Sequence, residues 1–117
     1  MLDTVTQHSR CVLGASTAPL KVSVGIHGGH SGVFAVDLGG APLPHDPDGK
    51  VPLGPADKLI GKAIVITTVV NQVAGSSKFT AVRVIDGPGF QCVSTIDGQF
   101  DQGSVSVVSE IVDFSAA

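Results

Sequence analysis

The chain is organised by period two. Leu20, Val22, Val24 and Ile26 alternate with Lys21, Ser23, Gly25 and His27, the pattern of a strand with one buried face. Val33 to Leu38 follows a glycine-rich turn, so residues 20–38 are expected to form a hairpin. Residues 63–70 are apolar or threonine at every position, which predicts a strand covered on both faces or lying in a subunit interface. Residues 78–85 are expected to pair with it across 71–77, where Gly75-Ser76-Ser77 supplies turn chemistry.

Phe90 to Ile96 follows the tight turn Asp86-Gly87-Pro88-Gly89, and Ser104 to Phe114 closes the set. In that last segment Val105, Val107, Ser109 and Ile111 face one way; Val108, Glu110, Val112 and Phe114 face the other. Thr4–Leu13 is a further strand, carrying Val5, Cys11 and Val12, and only Ala56–Gly61 has room for a helical turn. Six or seven strands with Gly, Pro and Asp turns predict a single all-β domain. The expected architecture is an antiparallel β-sandwich, with a small β-barrel as the alternative.

One stretch departs from the alternation. Residues 41–55 hold five of the seven prolines. Proline fixes φ and withholds a donor, so a stiff, extended connection is expected there, not a strand. Such a connection serves either as a sandwich crossover or as a partner-binding arm, in which Pro44, His45 and Pro47 would make the contact.

Composition narrows the function classes. Charged residues are 15% of the 117, and seven Lys and Arg against ten Asp and Glu leave no phosphate-neutralising patch. A nucleic-acid partner is therefore not expected. Apolar runs of only a few residues predict no membrane-spanning helix. The first ten residues lack both a basic and an apolar signal region, so a cytoplasmic location and two buried thiols at Cys11 and Cys92 are expected. Trp and Tyr are absent, which removes the usual stacking platforms for sugars and bases. The five phenylalanines sit in or beside strands and fill a core. Phe100, in a turn, either folds onto that core or stands exposed as a partner anchor.

Candidate chemistry centres on histidine and aspartate. His27 and His30 lie three apart in a glycine-rich loop and suit Zn²⁺ if other ligands join them, with His45, Asp46, Asp37 or His8 as candidates. Asp46-Pro47-Asp48-Gly49 opens like a calcium loop, but Lys50 and Val51 occupy positions that such a loop reserves for a ligand and glycine. Asp86, Asp97 and Asp101 lie in neighbouring turns and would bind Ca²⁺ if they converged. Ser31 beside His30 lacks the strand–elbow–helix setting of a hydrolase nucleophile. No catalytic constellation emerges and no cofactor is expected beyond these Zn²⁺ or Ca²⁺ candidates. The leading expectation is a non-catalytic structural or protein-interaction module that self-associates. The runner-up is a β domain binding a metal or small ligand through its loops.

Overall fold

The alternation becomes nine strands among the described residues, 3–14, 16–101 and 103–117, of a computed structural model. They are β1 (Asp3–Leu13), β2 (Pro19–His27), β3 (Ser31–Leu38), β4 (Ala41–Leu43), β5 (Val51–Pro55), β6 (Ala63–Asn71), β7 (Lys78–Gly87), β8 (Phe90–Gln99) and β9 (Val105–Ala116). Two sheets, ordered β1-β9-β6-β3-β4 and β5-β2-β7-β8, form an open sandwich and not a barrel. A short 3-10 turn at Ala56–Lys58 occupies the place expected for a helical turn. The β1–β9 pair is parallel over eleven residues, from Asp3 beside Ser106 to Leu13 beside Ala116.

Two of the expected hairpins are arches between sheets. β2 pairs with β5 and β7, whereas β3 pairs with β4 and β6. Likewise β6 lies between β3 and β9, and β7 between β2 and β8. Each of these strands has one apolar face, and arching sets the two faces against each other as opposite layers. The arches are fastened by His30. Its Nδ1 accepts the N–H groups of Val73 and Ala74 at 3.1 and 3.3 Å, and its Nε2 donates to the Lys78 carbonyl at 3.1 Å. Gly28 permits the close approach: its φ is +112°, and a Cβ there would lie 3.0 Å from that same carbonyl.

The doubly apolar strand is β6, and only one of its faces enters the core. Ile64, Ile66, Thr68 and Val70 are buried, while Val65 on the other face is 37% exposed. The proline-rich stretch also differs from expectation, since it contributes β4 and β5. Both are short edge strands, where proline is tolerated because one side of the ladder needs no donor.

The interior holds two apolar clusters. One gathers Leu13, Leu20, Val22, Val36, Ile64, Ile85, Val112 and Phe114 around its centre. The other gathers Val70, Phe79, Ala81, Ile96, Phe100 and Val108. Between them in sequence parity lie Arg83, flanked inward by Ala81 and Ile85, and Glu110, flanked by Val108 and Val112.

The expected free thiols are instead a disulfide between Cys11 and Cys92. β1 and β8 are edge strands of opposite sheets on the same flank, and this brings the two Cα atoms to 6.2 Å. The bridge closes a sequence separation of 81. Replacing both cysteines by alanine is expected to lower the unfolding free energy by about 2–5 kcal/mol in urea denaturation of the oxidised protein. An unchanged midpoint would show that the bridge does not form.

Candidate functional site

Polar side chains inside a valine-rich sandwich are costly unless paired, so they mark where the chain does something other than pack. Arg83 is 3% exposed and Glu110 is 1% exposed. Arg83 Nε donates to Glu110 Oε1 at 2.8 Å, and its Nη2 donates to Oε2 at 3.3 Å, a two-pronged pairing across the sheets. Arg83 Nη1 donates to the Cys92 carbonyl at 2.8 Å and lies 3.6 and 3.5 Å from the two disulfide sulfurs. Ser9 Oγ donates to Glu110 Oε2 at 2.8 Å, and Gln7 Nε2 bridges Ser94 Oγ at 2.6 Å and Glu110 Oε2 at 3.2 Å. β1, β7, β8 and β9 thus meet in one network beneath the disulfide. Burial pushes the Glu110 carboxyl up, but hydrogen bonds from Arg83 and Ser9 together with the guanidinium charge outweigh it. The group is held below the ordinary glutamate range. With every charge matched, the network clamps the sheets.

The residues singled out for metal binding are dispersed. His27 is exposed at the end of β2, and His30 commits both ring nitrogens to backbone. His45 packs its ring edge on Phe34, centroids 4.9 Å apart. Asp46 accepts from the backbone N–H groups of Asp48 and Lys50 through Oδ1 and pairs with Lys21 through Oδ2 at 2.6 Å. The hydrogen bond from Lys21 holds the Asp46 carboxyl below its ordinary range. Its neighbours therefore organise a turn around Asp46.

The three aspartates do not converge either. Asp97 pairs with Thr80, and Asp86 lies six residues further along β7, about 20 Å away at the rise of a strand. Asp101 follows β8 at the Asp97 end. Among the described residues, no three His, Cys, Asp or Glu side chains come together as a metal-ligand group. Pro44 and Pro47 are exposed beside His45 on the surface connection. Phe100 is 7% exposed and packs on Phe79 and His30, so it plugs the core and is no surface anchor.

Asp97 and Asp101 do border a groove of about 890 Å³ at the end of the sandwich, together with His27, Lys78, Thr80 and Gln99. Thr80 Oγ1 donates to Asp97 Oδ1, and Gln99 Nε2 donates to Asp101 Oδ2, both at 2.9 Å. Phe79 reaches the groove because Gly98 leaves room for its ring: a Cβ there would fall 2.3 Å from Phe79 Cζ. This end offers fixed acceptors and donors to a polar ligand.

A different surface lies on the outside of the five-stranded sheet. The registers align Thr4, Val107, Val69 and Val33 in one row and Thr6, Ser109, Thr67 and Ala35 in the next. The third row is His8, Ile111, Val65 and Asp37. Val33 is 69% exposed. Two full rows carry no charge; below them His8 and Arg10 on β1 lie beside Asp113 on β9, which pairs with His8, and Asp37 stands on β3.

Comparison with protein-family models, with curated proteins and with solved structures finds no match to this chain.

Arg83 is one of seven Lys and Arg residues scattered singly along the chain, a spacing that does not itself set a buried charge apart from a solvated one. The available signal was parity: Arg83 shares its face of β7 with Phe79, Ala81 and Ile85, as Glu110 shares its own with Val108, Val112 and Phe114.

Removing one partner of the clamp should be far worse than removing both. Arg83→Met leaves a buried carboxylate and is expected to cost roughly 3–5 kcal/mol in urea denaturation, most of it regained in Arg83→Met/Glu110→Leu. Because the folded pKa of Glu110 is depressed, its contribution is present above the unfolded value of about 4.3 and is lost as pH falls through the folded value. Stability of the wild type should therefore fall more steeply below that pH than stability of the double variant. Equal slopes would contradict the pairing.

Proposed function

We propose that this chain is a non-catalytic, self-associating structural module, and that its contact surface is the outer face of the five-stranded sheet. The observation that carries the reading is the uncharged pair of rows across β1, β9, β6 and β3. Solvated sheet faces ordinarily alternate polar outward, and this one presents Val33, Val65, Val69, Val107 and Ile111. At strand and residue spacings the face covers roughly 500 Å² per copy, or about 1,000 Å² in a pair, the lower bound for a specific interface.

The margins favour a second copy as the occupant. A two-fold axis parallel to the strands stacks β1 of one copy over β3 of the other. Arg10 and His8, the latter also paired with Asp113 of its own chain, then stand near Asp37 of the other copy, an arrangement that the two-fold repeats on both sides. The disulfide supports an oxidising compartment as the site of action, in place of the cytoplasm expected from the first residues. No helix among the described residues is long and apolar enough to cross a membrane.

Val69 is the position to probe, since it points outward from β6 between Val33 and Val107 in an uncharged row. Wild-type protein is expected to self-associate at micromolar concentration in sedimentation velocity. Val69→Lys should reduce the mass at least twofold with an unchanged melting temperature. A monomeric wild type would end this reading.

A second reading, a module that binds a small polar ligand, is favoured by the groove at the Asp97 end. Thermal-shift measurements with Ca²⁺, Zn²⁺ and simple sugars test it: stabilisation that Asp97→Asn abolishes supports ligand binding, and a flat response throughout removes it.

A further inference from the structure

The sandwich treats its two flanks differently. On one flank the sheets end in β4, three residues long, and β5, five residues long with Pro52 and Pro55. Brevity and proline both discourage a strand from another chain. On the other flank the four-stranded sheet ends in β8, ten residues from Phe90 to Gln99 without proline, lysine or arginine. β8 pairs with β7 alone. In an antiparallel pair, every second residue of such an edge turns its N–H and C=O away from the sheet. The flank therefore offers a long template for strand addition.

The occupant it fits is itself. We propose that β8 pairs antiparallel with β8 of a second copy, about a two-fold axis at Ser94, to give one continuous eight-stranded sheet. This register sets Val93 opposite Thr95 of the other copy, a match of two β-branched side chains. It sets Gln91 opposite Asp97, the one charged residue of the strand, so an amide meets the carboxylate and like charges do not meet. Val93, Thr95 and Asp97 all point outward from the sandwich and are exposed, so the pairing needs no change inside it. The contact deepens the self-association reading and rests on it. It is separate from the valine-rich face, and two different two-fold contacts on one chain join copies into an open row.

Because the face contact is removed by Val69→Lys, the edge contact is tested in that background. Val69→Lys protein should remain dimeric by sedimentation velocity. Adding Val93→Lys and Thr95→Lys places lysine directly against lysine twice across the proposed axis, and should give a folded monomer with an unchanged circular dichroism spectrum. Adding Val93→Glu and Thr95→Glu instead should also give a monomer. An equimolar mixture of the two should return to the dimer mass, because each lysine then meets a glutamate. The proposal is overturned if Val69→Lys alone is monomeric, if the lysine variant stays dimeric, or if the mixture stays monomeric. A monomeric Val69→Lys chain from an associating wild type defeats the edge contact and leaves the face reading intact. A monomeric wild type defeats both.

Discussion

The Arg83–Glu110 pair is the constraint on which the sandwich depends. Valine occurs 18 times in 117 residues, and alternating valine strands are nearly indifferent to register. A slip of two residues keeps every apolar side chain inside, whereas a slip of one would turn it out. The ion pair removes that indifference. Sliding β9 by two residues against β7 would part the only glutamate of the chain from its guanidinium and leave both charges in an apolar interior, a penalty of several kcal/mol per ion. The disulfide acts on the same flank, and Arg83 reaches both its sulfurs and the Cys92 carbonyl. Register, flank closure and sheet-to-sheet alignment are thus settled at one place, between the two apolar clusters.

What the residue pattern made legible was local. Strand positions, inward parity in β2 and β9, and the two-sheet class follow from period two, because alternation is a property of a single strand and its two faces. What it left dark was the choice of partner strand. Residues 20–38 look like a hairpin because a glycine turn joins two apolar runs. The deciding interaction is His30 reaching Val73 and Ala74 in the other arch, more than forty positions away. The disulfide was hidden for the same reason, since Cys11 and Cys92 become neighbours only once their edges share a flank. Topology also parts two of the candidate aspartates: Asp86 and Asp97 are eleven residues apart in sequence but sit at opposite ends of one hairpin. The buried ion pair is legible in parity as well, since Arg83 and Glu110 occupy inward positions of their strands.

The low charge content bears on how the outer surfaces behave. With 15% charged residues, the chain has few groups with which to keep a sheet face solvated or a strand edge private. Five of its seven prolines fall in residues 41–55, and its ion pairs lie in the interior, on the Asp46 turn and, as His8–Asp113, at one margin of the outer face. The exposed valine rows and the plain edge of β8 are what remains after those assignments. Association between copies would cover both with surfaces of the same kind.

The parallel pairing of β1 and β9 has a mechanical consequence. Because the two strands run in the same direction side by side, residue 3 and residue 116 lie at opposite ends of the ladder. Tension applied between those points pulls the strands past each other along their length. The ladder is then loaded in shear, and its evenly spaced hydrogen bonds resist together across eleven residue pairs. A hairpin pulled from its open end would instead unzip one bond at a time. Loaded between β1 and β9, the sandwich resists in shear, and the Cys11–Cys92 bond ties β1 covalently to the other sheet behind the sliding interface.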